Sequence, residues 1–284
     1  MLYSALIGHP VDHSISPVLF NYLAQQVGLE YGHLKIDVPS ASKLANCLAA
    51  LKNLGFCGAN ITLPYKLAVD SHLDRISPEA RKIGAVNTVV FKGDRAIGYN
   101  TDADGALAAI ETKLKPVKGS DQVLILGAGG AARAIVYPLY KKTKNIIILN
   151  RDQKEAAALV RDLSGGRIKQ ARLTDDNIRQ HLAPSNIIVN ATPVGMFPKD
   201  RERIIKERIF STVAVRGKYF FDAIFNPYRT SFLEDARRHG ARTCSGTYMM
   251  IYQAIRAFAL WTGRDVTNID VEAANSIMRR ALKE

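Results

Sequence analysis

At 284 residues, 47% hydrophobic and 23% charged, the chain is long enough for two ordinary domains, each with its own core. Its formal charge of +13 comes from scattered Lys and Arg that are not interleaved with aromatics, which argues against nucleic-acid binding and for a surface that attracts small anions. No apolar run approaches the ~20 residues of a membrane helix. The opening "MLYSALIGHP" lacks a signal peptide's basic start, and Cys47, Cys57 and Cys244 show no metal-ligand spacing, as expected of reduced thiols in a cytoplasmic protein.

In chain order, "LYSALIG" reads as a strand, and 17–27 as a helix closed by Gly28. "YGHLKIDV" is a strand, 41–54 an amphipathic helix stopped by Gly55, and "FCGANIT" a further strand. Pro64 is expected at the first position of the next helix, which sets Lys66 in its first turn, where an ammonium opposes the helix dipole. "AVNTVVFKGDRAIGYN" reads as a hairpin turning at Gly93-Asp94.

A second α/β unit follows "KPVKGS". Residues 122–126 form a strand, Gly127 opens a helix, and "NIIIL" is fully apolar, as suits a parallel sheet covered on both faces. "NIIVNAT" and "YFFDAIF" read as later strands of that sheet, and 248–260 and 270–282 are helical. The boundary between units is expected near residues 102–118.

"VLILGAGGAARA" carries the G-x-G-x-x-A form of the dinucleotide fingerprint, with Gly127, Ala128, Gly129, Gly130 and Ala131 in the turn and Ala132 packing helix on strand. The next strand ends in Asn150-Arg151, with Lys154 close behind, which favours the 2′-phosphate of NADP; Asp152 would repel that phosphate unless it faces away, so NAD stays open.

The set "HSISP", "NITLPYK", "GAVNT", "YNTDADG", "GAGGAARA", "NATPVGM" and "FDAIFNP", with a "G-x-x-M…Q…F-x-x-W-T-G" run, resembles the shikimate dehydrogenase family over essentially the whole chain. The resemblance implies two α/β domains, an N-terminal substrate domain and a Rossmann-like dinucleotide domain, with the active-site cleft between them. It divides the chain into 1–101, completed by the C-terminal helices 247–284, and 102–246. It implies Lys66 and Asp102 as the catalytic pair, and Ser14, Ser16, Asn60, Thr62, Asn87, Phe225 and Gln253 as substrate ligands. Ser16 is also expected to cap the first helix. Ala223 and Gly246 would border the nicotinamide. The chain departs from the family pattern at Phe225, where a tyrosine is usual, and at Thr247 and Tyr248. The implied activity is reversible reduction of 3-dehydroshikimate with NADPH; a quinate or quinate/shikimate dehydrogenase using NAD, and a non-catalytic metabolite sensor, are the alternatives. A small-molecule substrate, no nucleic-acid or membrane partner, and a monomer or homodimer complete the expectation.

Overall fold

The computed structural model describes residues 1–282, which divide into two compact units, 1–104 with 251–282 and 105–250. In the first unit the elements run β1 Leu2–Gly8, α1 Ser16–Gln26, β2 Tyr31–Asp37, α2 Leu44–Asn53, β3 Gly58–Ile61, β4 Arg75–Ile76, α3 Pro78–Ile83, β5 Thr88–Lys92 and β6 Arg95–Tyr99. The helix α4, Thr101–Lys113, carries the chain into the second unit. There follow β7 Val123–Leu126, α5 Gly130–Lys142, β8 Ile146–Asn150, α6 Gln153–Ser164, β9 Lys169–Arg172 and α7 Asp175–Leu182. The unit ends with β10 Ile187–Asn190, α8 Glu207–Phe210, β11 Tyr219–Asp222, α9 Ser231–Arg238 and β12 Arg242–Cys244. Helix α10, Gly246–Thr262, returns the chain to the first unit, where α11, Val271–Ala281, closes it.

The first sheet is mixed, in the order β2-β1-β3-β5-β6-β4, with β1 parallel to β2 and β3, and β5 antiparallel to β3 and β6. Its inward residues Ala5, Ile7, Ala59, Ile61 and Val89 pack on Leu44, Leu48 and Leu51 of α2. On the other face, Phe20 of α1 stacks on the His33 ring at 4.2 Å, and Trp261 of α10 donates its indole N–H to the Val89 carbonyl at 2.9 Å. Gly58 makes that contact possible, because a Cβ there would sit 2.2 Å from both the indole nitrogen and the Val89 carbonyl. Burial pushes the His33 imidazole down to about 3, so the ring is neutral and serves packing.

The second sheet has the order β12-β11-β10-β7-β8-β9, and every pairing in it is parallel. Read from the other edge this is the doubly wound order 3-2-1-4-5-6, whose strand order reverses between β7 and β10. The residues of β7 and β10 are buried on both faces, as their continuous apolar runs require. Leu124, Leu126, Ile188, Phe220 and Phe232 form the centre of this core.

Three local expectations change. The segment after Pro64 is two short 3₁₀ turns, Tyr65–Leu67 and Val69–His72, rather than a helix. The helix after the glycine turn starts at Gly130, because Gly127 takes φ +109 and belongs to the turn itself. Ile15 rather than Ser16 holds the N-cap position of α1, with no side-chain cap hydrogen bond.

Candidate active site

The ends of β3, β5 and β6 and the start of α4 bring together the polar residues of the first unit. Lys66 is fixed through its backbone, its carbonyl accepting the Val86 N–H at 2.9 Å. Its Nζ donates to Asp102 Oδ2 at 2.6 Å, and the two side chains are only 25% and 12% exposed. Asp102 is the second residue of α4, so the favourable helix N-terminus lies under the acid of the pair. This corrects the expectation for Lys66: a three-residue 3₁₀ turn has no appreciable dipole, and partnership with Asp102 accounts for the ammonium.

Asn87 organises the rest. Its Nδ2 donates to Asp102 Oδ1 at 2.8 Å, to Thr101 Oγ1 at 3.1 Å and to Gln253 Oε1 at 3.4 Å. Its Oδ1 accepts the Thr101 N–H at 2.7 Å and the Thr88 hydroxyl at 3.0 Å. Asn87 thus holds the carboxylate that holds the lysine. Asn60, also buried, donates its amide to the Asn87 carbonyl at 3.2 Å and to Thr88 Oγ1 at 3.1 Å. Thr62 lies one residue past β3, with its backbone N–H bonded to the Ile7 carbonyl at 2.8 Å. At the start of α1, Ser14 Oγ donates to Ser16 Oγ at 3.1 Å, which sets two hydroxyls side by side. The structure therefore gathers Lys66, Asp102, Asn87, Asn60 and Gln253 into one bonded cluster, and Ser14 and Ser16 into a hydroxyl pair.

Thr88, Thr101 and Asn100 escaped the sequence reading. Thr101 Oγ1 also donates to Gln253 Oε1 at 3.3 Å, and Asn100 Oδ1 accepts the Ala103 N–H at 3.1 Å, capping α4 beneath Asp102. The available signal was proximity in the chain, since all three lie within two residues of Asn87 or Asp102 in "GAVNT" and "YNTD".

In the second unit, Gly127 turns at the point where the strand order reverses, and a Cβ on it would lie 3.0 Å from Ala191 and Thr192. Gly129 is the N-cap of α5 with no side-chain cap hydrogen bond, and a Cβ on Gly130 would meet nothing within 4 Å. Open glycines over an uncapped helix N-terminus are what a pyrophosphate needs, so these residues fit a dinucleotide. Asp152, by contrast, caps α6, accepting the Lys154 N–H at 2.8 Å.

The loops after β10 and β11 meet at Asp222, which is fully buried. Its carboxylate accepts the Ile224 N–H at 3.0 Å, Asn190 Nδ2 at 3.1 Å and the Thr230 hydroxyl at 2.6 Å. Burial drives this carboxyl up to about 7 against those three donors. The Ile224 carbonyl in turn accepts the Gly246 N–H at 3.1 Å. Gly246 must be glycine, since a Cβ would come within 2.5 Å of the Ala223 and Ile224 carbonyls. Ala223 and Gly246 are thus locked together, and Phe225 lies half-buried in the same loop. Tyr248 lies in the first turn of α10, its ring 4.6 Å from Lys113 Nζ.

A proton donor held by a carboxylate, in a chain that also carries an open dinucleotide turn, defines the class: a nicotinamide-nucleotide-dependent oxidoreductase acting on an alcohol. Comparison with known families narrows it. Residues 6–89 match the shikimate dehydrogenase substrate binding domain, 109–218 the shikimate/quinate 5-dehydrogenase model, and 246–266 the shikimate 5′-dehydrogenase C-terminal domain. A shikimate dehydrogenase (NADP⁺) of Methanocaldococcus jannaschii is 39% identical, over 98% of this chain and 96% of that protein. The shikimate 5-dehydrogenase of Thermus thermophilus, in complex with NADP(H) and shikimate, superposes with TM-score 0.86 at 34% identity, covering 99% of this chain and all of that one. The quinate dehydrogenase of Corynebacterium glutamicum, in complex with NAD, gives TM-score 0.85 at 32% identity, over 99% and 98% of the two chains. The chain belongs to the shikimate dehydrogenase family.

Proposed function

We propose that the chain catalyses the reversible NADPH-dependent reduction of 3-dehydroshikimate to shikimate. The observation that carries this reading is the 2.6 Å contact between Lys66 Nζ and Asp102 Oδ2, itself anchored by Asn87. The nicotinamide supplies the hydride when the nucleotide is bound. As the substrate carbonyl becomes an alcohol, Lys66 donates a proton to its oxygen, and Asp102 keeps the ammonium aimed and compensates its charge. In the reverse direction the same pair removes the hydroxyl proton. Ser14 and Ser16 take the substrate carboxylate, and Asn60, Thr62, Asn87 and Gln253 serve the ring hydroxyls. The unit of residues 1–104 and 251–282 is assigned to substrate. Residues 105–250 are assigned to the nucleotide, through 127–131, Asn150, Arg151, Lys154, Ala223 and Gly246. The three cysteines are thiols, which supports a cytoplasmic location. We assign the chain as a monomer or homodimer with no nucleic-acid or membrane partner.

The test is initial rates with shikimate and quinate, each offered with NADP⁺ and NAD⁺, for the native protein and for Lys66→Met and Asp102→Asn. Turnover chiefly with shikimate, and a loss of about 10²–10⁴-fold in kcat for both variants with nucleotide binding retained, is expected. Turnover chiefly with quinate would move the chain to the quinate enzymes. Binding without turnover in the native protein would make it a sensor.

A further inference from the structure

The segment from the end of β8 to the first turn of α6 carries more negative charge than a phosphate site calls for. Arg151 and Lys154 supply two exposed cations there, and Asp152 and Glu155 supply two carboxylates. Asp152 Oδ1 accepts the backbone N–H groups of Lys154 at 2.8 Å and Glu155 at 3.3 Å. These two first-turn amides of α6 are therefore occupied by the helix's own cap and are not offered to a phosphate. Arg133 of α5 is engaged with Asp162, at 2.9 Å.

Glu155 reaches in the opposite direction. Its Oε2 accepts Asn150 Nδ2 at 2.9 Å, and its Oε1 lies 3.7 Å from where a Cβ on Gly129 would be. Asn150 Nδ2 also donates to the Asp152 carbonyl at 2.8 Å, so the asparagine amide is fixed from both sides. A carboxylate is thereby held between the last residue of β8 and the second glycine of the dinucleotide turn. In doubly wound sheets that place belongs to the adenosine ribose, where an acid accepts the 2′-hydroxyl and an arginine accommodates a 2′-phosphate.

We propose that Glu155 sets the nucleotide preference of this chain. Its carboxylate accepts from a ribose 2′-hydroxyl and repels a 2′-phosphate, so selectivity for NADP over NAD is held below what Arg151 and Lys154 alone would give. The acid is presented from the first turn of α6 instead of from the end of β8, while Asp152 acts as a helix cap. The proposal rests on the dinucleotide reading of the 127–131 turn.

Glu155→Gln tests it, because the amide keeps the side-chain length and an acceptor for Asn150 while removing the charge. Calorimetric titration of the purified native and variant proteins with NADP⁺, NAD⁺, 2′,5′-ADP and 5′-AMP gives a readout independent of turnover. The variant is expected to bind NADP⁺ and 2′,5′-ADP about tenfold more tightly, or about 1.4 kcal/mol, with NAD⁺ and 5′-AMP unchanged or weaker. Equal shifts for both nucleotides, no shift, or a weaker NADP⁺ complex would overturn the role of Glu155 and leave the dinucleotide site standing. Failure of the native protein to bind any of the four would overturn the dinucleotide reading as well.

Discussion

At the scale of single residues, the acid–base pair is a chain of three groups. Lys66 bonds to one oxygen of Asp102, and Asn87 bonds to the other at 2.8 Å. Asn87 also ties β5 to the start of α4 through the Thr101 N–H at 2.7 Å, so its removal frees the carboxylate to rotate away from the lysine. Asn87→Ala is expected to lower kcat by about 10²-fold, a loss of the size produced by misplacing a catalytic group by about 1 Å. Asn87→Asp, which keeps the acceptor for Thr101 but sets a like charge against Asp102, should not restore it. Steady-state rates with saturating nucleotide decide the matter, and undiminished kcat in Asn87→Ala would remove Asn87 from the catalytic arrangement.

At the scale of elements, β10, β11 and the N-terminus of α9 are joined through Asp222, whose contacts run to Asn190, Ile224 and Thr230, the N-cap of α9. The folded-state pKa of about 7 stands above the ordinary aspartate value of 3.8, so between these values the folded protein holds a proton that the unfolded chain has released. Stability is therefore expected to fall as pH rises from about 4 to about 7, by an amount of order 4 kcal/mol, and to level off above that. Asp222→Asn removes the titration. Urea unfolding of both proteins across this range should show the native protein losing stability relative to the variant as pH rises. Parallel curves would mean that the three donors offset the burial of the charge in full.

The same scale shows which elements can be read from sequence. "VLIL", "IIIL" and "IIV" are apolar throughout, as suits strands buried on both faces, and each lies in the parallel sheet. β9, "KQAR", is mostly exposed at the sheet edge and acquires its strand character from pairing with β8. Pro64 reads as a helix start by local preference, yet the residues after it form only short turns, held by the Lys66 carbonyl on Val86 and the Tyr65 hydroxyl on the Val38 carbonyl. Local preference is worth tenths of a kcal/mol per residue, and such tertiary bonds outweigh it.

At the scale of the whole molecule, the +13 charge acts on encounter more than on chemistry. The substrate carboxylate and the nucleotide phosphates are anions approaching a cationic protein. For shikimate, kcat/KM is expected to fall severalfold from low to high ionic strength while kcat stays nearly constant, as screening shortens the reach of that field. Initial rates over a salt series provide the check, and a kcat that falls in step with kcat/KM would point to a salt effect on the site itself. Among the described residues no helix is long and apolar enough to cross a membrane.

The sequence by itself determined the α/β alternation, the dinucleotide turn and family membership, because buried strands need apolar runs, a turn at Gly127 needs glycine, and the ordered motifs leave little freedom. It singled out Lys66, Asp102, Asn87 and Gln253, but it did not say which of them touch. Contacts between Lys66 and Asp102, 36 positions apart, and between Asn87 and Gln253, 166 apart, exist only when the chain is folded. Tertiary structure likewise put Asp102 on a helix N-terminus and left Lys66 off one. It made Asp152 a cap and Glu155 the acid beside Gly129. Both residues are acidic in sequence and lie three apart; only the direction in which the first turn of α6 points each side chain separates their roles.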